Sequence, residues 1–138
     1  MSRKKYDLKL LNYMSFFEST TGAKLKDCIE LDDKLIFIVD KNQINKAVGP
    51  RGLKAKKLAE KLKKKIKIVE YNPSLVIFVR NLITPLRVES VEEKDGIVMI
   101  KDSDRKVKGL LIGKNAKNLR TYEEIVKRYF DIKELRVE

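Results

Sequence analysis

The chain has no histidine, no tryptophan and a single cysteine, Cys28. Without histidine, metal sites built on imidazole and catalytic arrangements that need this side chain are excluded. A lone cysteine cannot form an internal disulfide, so the sequence does not indicate an oxidising compartment. Residues 24–31, KLKDCIEL, have the pattern of a strand, and we interpret Cys28 as a small packed residue of that strand. We therefore expect no bound metal and no cofactor.

The sequence also lacks a recognisable set of catalytic side chains and a long apolar run. Its 20 acidic residues lie mostly in turns or beside lysines. No pair has the spacing of a general acid and base, so we do not expect an enzyme. The longest apolar runs, residues 35–39 and 75–79, are too short to cross a bilayer. The N-terminal MSRKKYDLKLL has no signal-peptide pattern. These absences predict a cytoplasmic protein without a membrane partner.

Positive charge is what the chain has in excess. It carries 32 Lys and Arg residues against 20 Asp and Glu residues, a net charge of +12. Such an excess favours a polyanionic partner, with nucleic acid ahead of an anionic membrane. A generically basic protein is the alternative. With 138 residues, 43% of them hydrophobic, the chain has room for one average domain or two very small ones.

The first half of the sequence predicts the order helix, strand, strand, helix, turn, helix, strand. The predicted elements are a helix over residues 6–20, strands over 24–31 and 35–39, a short helix over 41–48, a turn over 49–52, an amphipathic helix after that turn, and a strand over 66–69. Tyr6 belongs to the first helix, which Gly22 ends. Apolar residues of the last helix recur at helical spacing, which predicts one buried face.

The second half predicts the same order of elements. The predicted elements are a helix over residues 73–82 with Asn72 as N-cap and Pro73 at its first position, strands over 86–93 and 97–101, a helix over 104–112, a turn over 113–116, a further helix, and a strand over 132–137. The β-branched run at 75–79 favours a strand by itself. We assign it to a helix because its counterpart in the first half is helical.

A shift of 64 residues superposes the two halves. It places Val48 on Ile112, Gly49 on Gly113, Gly52 on Ala116, Ala55 on Leu119, Leu58 on Tyr122, Leu62 on Val126 and Ile66 on Phe130. The repeat predicts an α+β protein of two small modules, residues 1–71 and 72–138, joined with almost no linker. Modules of this size are marginally stable alone, so we expect them to dock on each other.

The first turn, Gly49-Pro50-Arg51-Gly52, precedes a helix rich in lysine. Residues 51–67 carry nine basic residues and one acidic residue, a net charge of +8. Glycines let a nucleic-acid backbone approach more closely than a Cβ would permit, and a helix start favours phosphate. We expect Arg51 to point outward as a phosphate donor. Lys54 and Lys57, one turn apart, are expected at the exposed edge of a groove. Lys63, Lys64 and Lys65 suit either contact with phosphate or a solvated helix end.

The second turn, Gly113-Lys114-Asn115-Ala116, departs from this pattern at its last position. Positive φ is costly for Ala116, whereas a helix-starting conformation would be tolerated. Residues 113–130 carry five basic and two acidic residues, a net charge of +3. We expect weaker backbone contact here, with Lys114 and Asn115 reaching outward. This half could instead be mainly a docking platform.

The order of elements around a Gly-x-x-Gly turn resembles the type II KH fold, whose members hold single-stranded RNA or DNA. Two such modules in series, with VGPRG in the first and IGKNA in the second, closely resemble the archaeal NusA-like proteins. The segment NKAVGPRGLKAKKLAEKLKKKIKIVEYNPSLVIFVRNLITP, residues 45–85, is the most family-like part. The resemblance implies a monomeric transcription elongation, termination or antitermination factor. It would bind nascent single-stranded RNA through Gly-x-x-Gly turns, with RNA polymerase as a further partner. The alternative is a protein-interaction factor that docks to RNA polymerase or ribosome components.

Overall fold

The computed structural model describes residues 7–138, so the predicted helix start at Tyr6 lies outside the described residues. The chain divides into two compact units, with the boundary between Asn72 and Pro73. In the described part of the chain, each unit contains three α-helices and one three-stranded sheet, a mixed α+β composition. Within residues 7–138, no helix is both long enough and apolar enough to cross a membrane.

The first unit consists of α1 (Leu8–Thr21), β1 (Leu25–Glu30), β2 (Lys34–Val39), α2 (Ile44–Val48), α3 (Leu53–Leu62) and β3 (Lys65–Glu70). The sheet order is β1-β2-β3, with β2 antiparallel to β1 and parallel to β3. Helix α1 begins where the side chain of Asp7 accepts a hydrogen bond from the Leu10 N–H. It ends at Gly22, which adopts the left-handed conformation that commonly terminates helices.

Alternate residues of β2 form the centre of the first core. Leu35, Phe37 and Val39 are fully buried together with Phe17 of α1. The rings of Phe17 and Phe37 stack with their centroids 4.4 Å apart. Cys28 of β1 is buried in the same core, which confirms its prediction as a packed residue.

The second unit repeats this order with α4 (Leu75–Ile83), β4 (Ser90–Lys94), β5 (Ile97–Lys101), α5 (Arg105–Ile112), α6 (Lys117–Lys127) and β6 (Glu134–Val137). Its sheet order is β4-β5-β6, again antiparallel and then parallel. Asp95 and Gly96 both have positive φ between β4 and β5, as a two-residue hairpin turn requires. The β-branched run at 75–79 is helical, as the repeat predicts. Phe78 of this helix packs against Tyr129 and Phe130.

Several predicted element starts are wrong, among them that of β6, which begins at Glu134 rather than residue 132. Helix α2 begins at Ile44 rather than residue 41, because Asn42 has a φ of 69° and breaks the helix. Strand β4 begins at Ser90 rather than residue 86, because the Glu89 N–H binds the Asp102 side chain instead of a strand. The N-cap of α4 is Ser74, whose side chain accepts a hydrogen bond from the Ile77 N–H, and not Asn72.

The 64-residue shift also fails after the last helix of each unit. The C-cap residue of α3, Lys63, adopts the left-handed conformation, and β3 starts two residues later at Lys65. After α6 the chain takes several more residues to reach β6. Ile66 pairs with Leu35 of β2, and in the second unit Leu135 takes this place opposite Val98. The predicted match of Ile66 with Phe130 is therefore wrong.

Candidate nucleic-acid interface

Two tight turns occupy the same position in both units, between a short helix and a longer one. The first turn is residues 49–52 and the second turn is residues 113–116. Gly49 has φ 77° and ψ 171°, and Gly113 has φ 74° and ψ 174°. This backbone region is open almost only to glycine. The glycine that opens each turn is therefore required by the backbone itself.

The rest of the two turns also has the same backbone conformation. Arg51 has φ 56° and ψ 23°, and Asn115 has φ 56° and ψ 32°. Gly52 (φ 72°, ψ 17°) and Ala116 (φ 60°, ψ 23°) are both left-handed. Ala116 therefore adopts the costly positive φ and not the helix-starting conformation that it would tolerate. The second turn keeps the shape of the first, with one methyl group added in the left-handed region.

The middle residues of both turns face solvent. Pro50 and Arg51 are exposed in the first turn, and Lys114 and Asn115 are exposed in the second. Within residues 7–138, the guanidinium of Arg51 makes no hydrogen bond or ion pair. An exposed cation without a partner, on a residue in the left-handed conformation, is available to an anionic ligand.

The helices that follow the turns begin without a side-chain cap. Asp7, Ser74 and Asp104 cap α1, α4 and α5 through their side chains. Gly52 and Ala116, the N-cap residues of α3 and α6, make no such hydrogen bond. The N–H groups at the start of a helix favour an anion, and here no side-chain oxygen of the N-cap residue occupies them.

Lys54 does not lie at the exposed edge that the sequence predicts. Its Nζ donates hydrogen bonds to the carbonyl oxygens of Thr21 (2.9 Å) and Lys46 (3.1 Å). Thr21 is the last residue of α1, so its carbonyl belongs to the negative end of that helix. The stem of Lys54 also crosses Gly49, where an added Cβ would come within 2.7 Å of Cγ. Lys54 thus connects α1, α2 and the first turn.

Asn118 takes the equivalent place in the second unit, a role that the sequence analysis missed. Its Nδ2 donates a hydrogen bond to the Leu110 carbonyl at 3.0 Å. A Cβ added to Gly113 would come within 2.7 Å of the Asn118 side chain. Lys46 and Leu110 occupy the same position before their turns, 64 residues apart. The signal in the sequence was a side chain with a nitrogen donor five residues after the first glycine of each turn.

The lysines on and just after α3 differ in whether a carboxylate pairs with them. Lys56, Lys57 and Lys61 are exposed on α3, and their ammonium groups have no partner within residues 7–138. Lys64 and Lys65, in contrast, form ion pairs with Glu30 (3.1 Å) and Asp33 (3.5 Å). Only part of the predicted +8 segment is therefore available to a ligand.

Two ionisable groups near α3 have shifted pKa values. Hydrogen bonds from Lys9 and Lys64 lower the pKa of Glu30, so this carboxylate stays charged at neutral pH. Burial, with a smaller contribution from the positive charge of Lys34, lowers the pKa of Lys67 to about 8. Lys67 lies in β3 and is half-buried, so it belongs to the sheet rather than to the exposed cations of α3.

The second unit carries more positive charge near its turn than residues 113–130 suggest. Residues 105–120 contain six basic residues and no acidic residue, whereas the equivalent residues 41–56 contain five and none. The additional cations precede the turn, on α5. The cationic groups without a partner within residues 7–138 are those of Arg105, Lys106, Lys108, Lys114 and Arg120. The sequence analysis missed the three on α5 because it counted charge only after the turn.

No family model matches the chain. Curated relatives do match it along most of its length, each described as "Probable transcription termination protein NusA". The protein from Halococcus morrhuae is 31% identical over 127 residues, which cover 91% of both chains. The protein from Methanocaldococcus jannaschii is 31% identical over 128 residues, 90% of this chain and 69% of the relative. The protein from Thermoplasma acidophilum is 26% identical over 137 residues, 95% and 93% of the two chains.

A solved structure described as "Crystal structure of APE1850" is also similar to this chain. The TM-score is 0.74 and the sequences are 33% identical. The match covers 96% of this chain and all of the other. The likeness thus extends over both units.

Proposed function

The chain belongs to the NusA family of archaeal transcription termination proteins, and from this premise we propose that it binds single-stranded RNA as a transcription factor. Its ligand would be the nascent transcript. The proposed effect is on termination, elongation or antitermination of transcription, through binding alone and without catalysis.

Each unit would be a type II KH domain, the first formed by residues 1–71 and the second by residues 72–138. The same order of helices and strands in both units supports this assignment. Both sheets also have the same antiparallel and parallel pairing. The proposed binding residues of the first domain are Gly49, Pro50, Arg51, Gly52 and Lys57. Those of the second domain are Gly113, Lys114, Asn115 and Ala116.

The observation that carries this proposal is the shared backbone of the two turns. Each turn opens with a glycine in a backbone conformation that other residues hardly adopt. The helix that follows has no side-chain cap. A phosphate group could approach the turn closely and meet the N–H groups of the helix start. Arg51 or Lys114 would then supply the neutralising charge. Each turn would clamp about four nucleotides.

RNA polymerase is proposed as a second partner on the strength of the family alone. Two sequence features kept protein docking open as the alternative function, the apolar run 75–79 and Ala116. Two residues of the run, Phe78 and Val79, are buried, whereas Ile77 is exposed. Ala116 keeps the conformation of Gly52. The shared conformation favours RNA binding over docking for the second turn, and the active form would be a monomer.

The proposal predicts that neutralising one cation of the first turn and one of α3 weakens RNA binding. We expect the double variant Arg51→Gln/Lys57→Gln to lower affinity for a fluorescein-labelled oligouridine of about eight nucleotides about ten- to thirtyfold near 0.1 M salt. The slope of log affinity against log salt should become shallower by about 1.4, since each lost phosphate contact on a single strand contributes about 0.7. Fluorescence anisotropy over a salt series measures both quantities.

A matched control removes the same charge from lysines that are already paired. Lys64→Gln/Lys65→Gln leaves Arg51 and Lys57 intact. It frees Asp33 from its ion pair, while Glu30 keeps its ion pair with Lys9. We expect nearly unchanged affinity and slope in this variant. Equal effects of the two double variants would mean that binding depends on net charge alone, and the first turn would not be the site.

A further inference from the structure

The two turns share one contact that crosses from the helix after the turn to the helix before it. In the first unit the Lys54 Nζ lies 3.1 Å from the Lys46 carbonyl oxygen. In the second unit the Asn118 Nδ2 lies 3.0 Å from the Leu110 carbonyl oxygen. A lysine and an asparagine differ in charge and length, yet both place a nitrogen donor on the same carbonyl. What the two units have in common at this position is the donor and not the charge.

The contact is placed where it restrains the turn. The carbonyl that accepts it lies in the last turn of the first helix, and the donor side chain starts in the first turn of the next helix. Both side chains pass over the first glycine, where an added Cβ would come within 2.7 Å of either. The hydrogen bond and the packing together hold the two helix ends at a fixed separation around the exposed residues.

We infer that Lys54 and Asn118 are positioning residues, which hold each turn in its binding conformation without contacting the RNA themselves. This inference rests on the proposed RNA-binding function. Lys54 also donates a hydrogen bond to the Thr21 carbonyl of α1. Within residues 7–138, Asn118 makes no hydrogen bond that corresponds to this one. The shared bond to the preceding helix is therefore the one that positions the turn.

The first test compares three single variants of the full chain in the same RNA titration. Lys54→Met keeps the apolar stem and removes the donor, and we expect about tenfold weaker binding with an unchanged salt slope. Lys54→Asn installs the donor of the second turn, and we expect affinity within about twofold of the original. Lys57→Met removes an exposed charge one helical turn away, and we expect a slope shallower by about 0.7.

Three results of this titration would overturn the inference. A slope change in Lys54→Met equal to that of Lys57→Met would make Lys54 a direct phosphate contact. Unchanged affinity in Lys54→Met would mean that the bond is not needed. Failure of Lys54→Asn to restore binding would mean that the shared hydrogen bond is not the positioning contact.

A second measurement does not involve RNA, so it tests the positioning role separately from the proposed RNA-binding function. The Gly52 N–H binds the Gly49 carbonyl, and the Ala116 N–H binds the Gly113 carbonyl, both at 3.2 Å. Amide hydrogen exchange at Gly52 should accelerate about tenfold in Lys54→Met, with Ala116 unchanged. Asn118→Leu should reverse the pattern. If neither the original chain nor any variant binds RNA, but each variant accelerates exchange only at its own turn, the proposed function fails and the positioning role stands. Unchanged exchange at both turns overturns the positioning role.

Discussion

At the scale of single residues, the two turns show which positions demand glycine and which only prefer it. Gly49 and Gly113 occupy a region that other residues hardly enter, and a Cβ there would also collide with the side chain of Lys54 or Asn118. At Gly52 an added Cβ would meet nothing within 4 Å, so only the left-handed backbone opposes it. This difference explains how the second turn can end in Ala116 and still keep its shape.

The left-handed conformation of Ala116 should lower the stability of the second unit. A residue with a Cβ pays about 1–2 kcal/mol in this region, part of which the smaller unfolded-state entropy of alanine offsets. We expect Ala116→Gly to raise the free energy of unfolding by about 0.5–1 kcal/mol. Gly52→Ala, the reverse change in the first turn, should lower it by a similar amount. Urea unfolding followed by circular dichroism measures both. A neutral or destabilising Ala116→Gly would contradict the left-handed assignment.

Sequence reasoning found the glycines and the exposed residues of the turns but not the orientation of Lys54. A lysine on a basic helix is expected to face solvent, and the pattern of charges does not reveal which lysines reach back to the protein. What decides the position of Lys54 is the pair of carbonyl oxygens at the ends of α1 and α2. Helix ends become visible as acceptors only when the fold brings them together.

At the scale of helices and strands, the repeat was a better guide than local propensity. The β-branched run at 75–79 forms a helix, as its counterpart α1 predicts. The boundaries that the sequence missed depend on local contacts, such as the left-handed Asn42 before α2 and the side-chain bonds before β4. The repeat specifies which elements exist, whereas such contacts decide where they start.

Strand β3 contains a lysine whose burial should make stability depend on pH. Burial lowers the pKa of Lys67 to about 8 in the folded protein, from the ordinary value of 10.5 that applies to the unfolded chain. Between these values the unfolded chain holds a proton that the folded chain has released, so stability rises with pH through this window. Below about pH 8 both states are charged, and the folded state bears the full cost of burying the charge.

Lys67→Met should therefore stabilise the protein at neutral pH, by about 1 kcal/mol once solvent screening of a half-buried group is allowed for. The advantage over the original chain should shrink as pH rises from about 8 towards 10.5. Urea unfolding midpoints of both chains across this range measure the difference. A constant difference would mean that Lys67 titrates at its ordinary pKa, and that its effect comes from packing alone.

At the scale of the whole molecule, the net charge of +12 is an incomplete description of the binding surface. Some lysines are neutralised by carboxylates, as Lys64 is by Glu30. Lys54 donates to carbonyls and Lys67 is half-buried. Among residues 7–138, cations without a partner lie both before and after the turn in each unit: Lys41 and Lys46 precede the first turn, as Arg105, Lys106 and Lys108 precede the second. The second unit is therefore better supplied with free charge than its sequence count of +3 suggests.

This distribution predicts that the second turn also contributes to RNA binding. Lys114 lies in the turn and Arg120 on α6, and neither cationic group has a partner within residues 7–138. We expect Lys114→Gln/Arg120→Gln to weaken oligouridine binding about ten- to thirtyfold and to make the salt slope shallower by about 1.4. The matched control is Lys101→Gln/Arg136→Gln, because these two cations are paired with Glu92 (3.3 Å) and Glu134 (3.1 Å).

The outcome separates a second binding unit from a docking platform. If the second-turn variant and its control bind RNA alike while Arg51→Gln/Lys57→Gln does not, only the first unit holds RNA, and the cations of α5 and α6 face another partner. If both turn variants lose affinity, the variant that combines all four changes should lose about the product of the two effects, provided that the two turns bind RNA independently. A combined loss no larger than that of the first-turn variant alone would contradict a binding role for the second turn, whatever its shape.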